Sequence, residues 1–367
     1  MSTRYRAIVA GLDHYHVTGW VETLGLFADK IDVVARYDPD PRRATLDRPS
    51  FVDPNLPQAF PEWFQRAPFS SDLTELIREA RPDLALVTMP NRLAPDVVIE
   101  LARAGCHVIV DKRGRSTPLA PNGGVAARTT GVKLAVAFTR RYGHAWQSVA
   151  SEIARGRLGL LLSVEAMFVT SSVPLRGPDN PIFDRNMMGG GILHWLGIHD
   201  IDLIQWLSGE PIVRVQAMSA TMSSRAVDVE DTISVQFQLE GGAIGTMHFA
   251  YALPRVGGSG YVALRGSKSS VRIDATGAIE WIGPASVRDP LRVETSTSDV
   301  VRLPGYGAAG ASIVADLLDA VEHDRDPLAT GENARDALRV VDAAYTSARI
   351  GQPVFLVTGF QSEGIGA

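Results

Sequence analysis

Two residues of this chain are suited to moving a proton and steadying charge near neutral pH, the imidazole of His199 and the ammonium of Lys112. His199 lies in GGGILHWLGIHDIDLIQWL, from Gly189 to Leu207, where three glycines run into a helical pattern. Residues three and four apart on a helix share a face, so Trp195, His199, Asp202 and Trp206 form one stripe of aromatic and titratable groups. Most remaining positions are apolar around much of the circumference, which predicts a helix buried between layers. A buried imidazole is also at home as a core residue satisfied by Asp202 or by a carbonyl. The glycines let the backbone approach a ligand or another segment, and a helix N-terminus with free N–H groups attracts oxygen-rich or anionic molecules.

The elements that must position these residues come from a chain of 367 residues, long enough for two domains. Hydrophobic residues make up 45% and charged ones 21%, as in an ordinary globular enzyme. The net charge of −5 arises from 36 basic and 41 acidic residues without long runs, so neither nucleic acid nor a membrane surface is expected as partner. Cys106 is the single cysteine, which excludes a disulfide framework and a Cys-based zinc site, and no bound metal is expected. The absence of a signal-like leader or a long apolar run points to the cytoplasm.

In the first half, Tyr5 to Ala10 reads as a strand ending at Gly11, followed by Leu12-Asp13-His14-Tyr15-His16 and a helix from Val17 to Phe27. A dinucleotide fingerprint wants glycine at the first, third and sixth positions, but only Gly11 qualifies, with Asp13 and His16 at the other two. A carboxylate at Asp13 must point away from a diphosphate or accept N–H bonds. A second strand, Ile31 to Tyr37, ends at Asp38, whose carboxylate can accept the adenosine ribose hydroxyls and favour NAD. Arg42 and Arg43 could instead hold a 2′-phosphate, leaving NADP as the alternative, and Asp38 could simply be a turn residue before Pro39. The Pro-rich stretch from Pro39 to Pro68 reads as an irregular excursion. Further strands end at Thr88 with Asn91 close behind, and at Asp111-Lys112; another, Lys133 to Phe138, precedes Arg141. Strand-helix alternation predicts a doubly wound parallel sheet with ligands at the carboxyl ends of its strands. Gly11, Asp13, His14, Tyr15, Asp38, Thr88, Asn91, Asp111 and Lys112 are therefore the candidate cofactor residues.

In the second half the period changes to two. Leu161 to Val169, Ile212 to Ala220, Asp231 to Leu239, Ala243 to Tyr251, Tyr261 to Arg265, Ser270 to Ile273 and Ala278 to Ile282 read as strands of a largely antiparallel open sheet with the central helix on one face. Too few helices remain to cover the other face. An apolar face left bare predicts a homodimer or homotetramer. The loop from Ser171 to Met188, with Arg176, Asp179, Asp184, Arg185 and Asn186, is expected to line a pocket.

Together these stretches resemble the Gfo/Idh/MocA family of oxidoreductases: Val87-Thr88-Met89-Pro90-Asn91, Gly105 to Lys112, Gly189 to Asp202, Glu230-Asp231-Thr232, Gly241 to Thr246 and Ala343 to Val354. The resemblance implies an α/β plus α+β architecture, with an NAD(P)-binding Rossmann domain over 1–138 and a substrate-binding and oligomerisation domain over 139–357. It also implies that Lys112 and His199 are catalytic and share the site with Trp195. Where the family has an Asp, this chain has Trp195, and where it has Glu-Lys-Pro, this chain has Asp111-Lys112-Arg113. His194 is adjacent to Trp195 but about 100° round a regular helix, so it does not take the Asp's place.

The chemistry this implies is NAD-dependent oxidation of a secondary alcohol on a sugar, polyol or related small molecule. His199 would take the hydroxyl proton and Lys112 would steady the nascent carbonyl, while Trp195, Asp202, Arg141 and Asn186 would contact substrate. Two other readings remain: a lyase or glycosidase that uses NAD transiently, and a non-catalytic dinucleotide-binding sensor.

Overall fold

The computed structural model describes residues 4–51, 56–111, 130–171, 173, 176–222, 227–251, 253, 257–283, 293–296 and 303–357. The chain forms two compact units, and the division is discontinuous. Met1–Gln147, Asn180–Gly190 and Ser298–Arg335 make the first; Ser148–Asp179, Gly191–Thr297 and Asp336–Ala367 make the second.

The first unit is built on six strands, β1 (Tyr5–Ala10), β2 (Ile31–Tyr37), β3 (Phe69–Ser70), β4 (Leu84–Val87), β5 (His107–Val110) and β6 (Leu134–Val136). They lie in the order β3-β2-β1-β4-β5-β6, and every pairing is parallel. All four residues of β4 and the last four of β1 are buried, as a parallel sheet covered on both faces requires. Around it run α1 (Val17–Gly25), α2 (Leu73–Ala80) and α3 (Ala94–Arg103). The Asp72 side chain starts α2 by accepting the Glu75 N–H at 2.9 Å. A later helix, here labelled α6 (Gly307–Glu322), returns to this unit and packs on α1, β5 and β6 through a face that includes Ile313, Val314, Leu317 and Leu318. Strand order reverses between β1 and β4, which makes their carboxyl ends the natural crevice of such a sheet.

In sequence, α4 (His144–Ala154) crosses the boundary at Gln147, and α5 (Ile198–Ser208) belongs to the second unit. The second unit holds nine strands: β7 (Leu161–Thr170), β8 (Ile212–Ala220), β9 (Thr232–Leu239), β10 (Ile244–Ala250), β11 (Gly258–Gly266), β12 (Ser270–Asp274), β13 (Ile279–Ile282), β14 (Val293–Ser296) and β15 (Val354–Phe355). Their order is β14-β13-β12-β11-β7-β10-β9-β8-β15, antiparallel throughout except for β7 with β10. The last helix is α7 (Gly331–Ile350). Ile233, Val235, Phe237 and Leu239 are the buried set of β9, while Ser234 and Gln236 are exposed.

The open face corrects one expectation. Register sets Gln216 beside Gln236, Gln236 beside Thr246 and Thr246 beside Glu165, so a polar row crosses four strands. Exposed apolar side chains on these strands are scattered, among them Leu162, Met218 and Ile244. Alternation has put the apolar set inward, so this face does not carry the apolar area on which the oligomer argument rested. Among the described residues no helix is long and apolar enough to cross a membrane.

Candidate functional site

In the first unit the loop after β1 is fastened on three sides. Gly11 has φ +95°, and a Cβ there would meet the Thr88 carbonyl oxygen at 2.7 Å. Only glycine lets β1 leave the sheet this close to the end of β4. The Thr88 hydroxyl donates to the Gly11 carbonyl at 2.8 Å, and the Gly11 N–H donates to the Tyr37 carbonyl at 2.9 Å. Asp38 is fully buried and accepts the Leu12 N–H at 2.9 Å and the Asp40 N–H at 3.1 Å. The Arg43 guanidinium donates to both of its oxygens at 3.0 Å and also reaches Asp13 at 3.2 Å. Asp13 accepts the Ser50 N–H at 2.5 Å and the Ser50 hydroxyl at 3.0 Å. Its carboxylate is thus held by internal donors, which answers the repulsion that an acid in this loop would otherwise face. Beside it, Asp40 is pulled down to about 2 by its hydrogen bond from Arg42.

On the other side of the loop, His16 Nδ1 lies 2.8 Å from Asp111 Oδ2 and His14 Nδ1 lies 3.7 Å from the same oxygen. His14, Tyr15, His16 and Asp111 are all buried. The Asn91 side-chain amide, also buried, donates to the Met188 carbonyl at 2.6 Å. Arg141 is buried and donates to the Leu328 carbonyl at 3.0 Å. Asn186 is exposed, its N–H held by Asp184 at 2.8 Å. The structure therefore gathers Gly11, Asp13, His14, Tyr15, Asp38, Thr88 and Asp111 around the carboxyl edge of the sheet. Lys112 lies outside the described residues, so its expected approach to His199 is not described.

In the second unit the last of the three glycines, Gly191, meets protein. A Cβ on Gly191 would run into the Glu230 carbonyl oxygen. Glu230 absorbs three successive N–H groups: Gly191 at 2.8 Å and Leu193 at 3.1 Å through its carboxyl oxygens, and Ile192 at 3.2 Å through its own carbonyl. The Tyr345 hydroxyl donates to the same carboxyl at 2.7 Å. Burial raises the Glu230 carboxyl above the usual carboxylate range, and these donors pull the other way; burial and Glu230 together hold the Tyr345 hydroxyl well above its ordinary value. The sequence leaves open whether ligand or protein fills the space beside the glycines. Here a segment of protein does, and the N–H groups expected to attract an anion are already spent.

The helix that follows is not regular. Leu193–Gly197 is a π-helical turn leading into α5. A π turn closes i to i+5 and holds one extra residue, so positions before it rotate relative to those after. The expectation that His194 stands about 100° from Trp195 assumes a regular helix, which this turn is not. His194, Trp195, His199, Asp200 and Asp202 are each 5% exposed or less. Sequence reasoning assigned no role to Glu230 or Tyr345 and offered Arg43 only as a holder of a 2′-phosphate, and the π turn left no periodic signal; the one available hint was Glu230-Asp231-Thr232, a block noticed without a function.

Residues 28–122 match the family described as "Oxidoreductase family, NAD-binding Rossmann fold", and residues 146–272 match the "GFO/IDH/MocA C-terminal domain". Inositol 2-dehydrogenase of Rhizobium meliloti is 26% identical over 283 residues, 72% of this chain and 78% of its own length. The 1,5-anhydro-D-fructose reductase of Ensifer adhaerens is 24% identical over 291 residues, 79% of this chain and 84% of its own. Among solved structures, levoglucosan dehydrogenase in complex with NADH superposes with a TM-score of 0.79 at 16% identity, covering 97% of this chain and all 100% of that one. The aldose-aldose oxidoreductase from Caulobacter crescentus, complexed with glycerol, gives 0.75 at 20% identity, covering 96% and 100%. At these identities the two superpositions establish the fold.

Proposed function

Because the chain belongs to the Gfo/Idh/MocA family of oxidoreductases, whose NAD-binding Rossmann fold occupies its N-terminal part, we propose that it is an NAD-dependent dehydrogenase of a secondary alcohol on a sugar or polyol. The named relatives act on an inositol and an anhydrosugar, which supports that substrate class. The dinucleotide, when bound, supplies the hydride acceptor. The first unit fits it: no side chain caps the N-terminus of α1, and Asp38 ends β2 where ribose hydroxyls are read. All four acceptor positions of Asp38 are taken by internal donors, so a ribose would exchange with the Arg43 guanidinium.

In this reading His199 accepts the hydroxyl proton as the carbinol carbon gives up its hydride, and Lys112 steadies the oxygen. Trp195, in the place of the family's Asp, offers an apolar face to the C–H side of a sugar ring. Asp202 lies one turn further along. Arg141 and Asn186 are the further substrate contacts of this reading. The observation that carries the reading is the burial of Trp195, His199 and Asp202 on one helix whose entrance Glu230 fixes. The reading also includes a homodimer or homotetramer, which sedimentation as a monodisperse monomer at micromolar concentration would exclude. It includes a cytoplasmic site of action, in keeping with a single cysteine.

The test is NAD binding by calorimetry, then nicotinamide absorbance against a panel of inositols, hexoses and anhydrosugars. His199→Ala should lower kcat by about a hundredfold or more at an unchanged thermal midpoint. Tight binding without turnover would replace the dehydrogenase by a sensor. Product formed without accumulating NADH would replace it by transient redox in an elimination or glycoside cleavage.

A further inference from the structure

Hydride transfer gives no task to the imidazoles of His14 and His16, yet both direct Nδ1 at one oxygen of Asp111, at 3.7 Å and 2.8 Å. Two donor atoms bound to one ion at about 2.0–2.2 Å lie roughly 3–3.5 Å apart, and the observed separations bracket that span. The three donor atoms fall within 4.8 Å of one another, and all three residues are buried. Proton bookkeeping also permits it. The His16 N–H donates to His14 Nδ1 at 3.3 Å, so that nitrogen carries a lone pair, and the contact is long enough to yield to a stronger partner. A carboxylate is an acceptor only. The proton shared between His16 Nδ1 and Asp111 moves to Nε2 of a neutral imidazole, so the proton count is unchanged.

We propose that His14, His16 and Asp111 form a binding site for a divalent first-row transition ion of the zinc class. The ligands are two Nδ1 atoms and one carboxylate oxygen. Two imidazole nitrogens select such an ion over magnesium or calcium, which prefer oxygen. The site does not depend on the dehydrogenase reading, because it requires neither dinucleotide nor substrate.

The full chain, stripped of metal with a chelator and dialysed, is titrated with Zn²⁺ alone by calorimetry, and with Co²⁺ by absorbance. One ion should bind per chain with micromolar or tighter affinity, raising the thermal midpoint and giving visible cobalt bands of nitrogen coordination. His16→Asn and Asp111→Asn should each weaken binding at least about tenfold. His323→Asn, which alters an imidazole that is 63% exposed and paired with Asp319, should leave binding unchanged. Absence of zinc binding in the wild-type chain overturns the proposal even if a variant fails to fold. So does a cobalt spectrum without nitrogen-ligand bands, or an affinity that follows His323 rather than His16.

Discussion

In each unit glycine leads the chain toward a helix, and in each a buried carboxylate receives backbone N–H groups there, but the two carboxylates leave the helices in different states. Glu230 takes the N–H groups of Gly191, Ile192 and Leu193 and so closes the entrance that leads to α5. Asp38 takes only the Leu12 N–H from the loop before α1 and spends its remaining capacity on Asp40 and Arg43, while no side chain caps α1. The positive end of the α1 dipole has no side-chain cap, whereas the entrance to α5 is neutralised from within its own unit. A glycine before a helix is therefore no sign of an anion site until its N–H groups have been followed to their partners.

The largest expected effect tests the closed entrance. Gly191→Ala drives a methyl group into the Glu230 carbonyl, where neither backbone segment can yield, and should cost about 3 kcal/mol or more, or abolish folding. Chemical denaturation measures this; a loss under about 1 kcal/mol would mean that the entrance is loosely held and that the contrast fails. Glu230→Gln should cost about 1–3 kcal/mol, since its NH₂ must face one of the N–H groups that the carboxyl now accepts. The pH dependence has a definite sign. With the folded value raised above the unfolded one, wild-type stability is greatest below the unfolded value and declines as pH rises through the folded value. The Gln variant lacks this term, so the stability gap should be widest at the acid end of that window and narrow above it, as urea unfolding across pH would record. The smallest effect concerns the first unit. Asp38→Ala should weaken NAD relative to NADP by about tenfold, by removing an acceptor for ribose hydroxyls and a repulsion toward a 2′-phosphate. If calorimetry finds the ratio unmoved, Asp38 works only within its loop, and the two carboxylates are alike after all.

What the sequence made legible was local. The strands Tyr5–Ala10 and Ile31–Tyr37 have the expected bounds because each is a short apolar run stopped by a turn residue. What it hid was set by distant partners. Gly191 answers to Glu230, and no periodicity links them. The parallel pairing of β7 with β10 follows from sheet order, which turn lengths do not dictate. The two-residue β3 exists only through its register with Arg36 and Tyr37. The polar row through Gln216, Gln236 and Thr246 was open to view in the alternation, and an apolar face was expected there only because no cover for it could be found. In the first unit the candidate residues were found by strand ends, whereas Arg43, which ties Asp38 to Asp13, belongs to an irregular stretch where pattern says little.

The discontinuous course of the chain also sets the order in which it can fold. The first unit lacks a wall until α6 is made, because that helix covers β5, β6 and α1, brings Asp316 to the Tyr142 hydroxyl at 2.8 Å, and follows Tyr306, whose ring centre lies 4.7 Å from that of Trp20. The second is centred on its earliest strand, β7, whose neighbours β10 and β11 arrive only after β8 and β9. A nascent chain that has completed all six parallel strands still exposes the surface α6 will cover, and a central strand waits with both edges unpaired. Each unit waits for a segment made well after its first strands, α6 for the first and β10 and β11 for the second, so folding should be slow, with an aggregation-prone interval before those segments emerge.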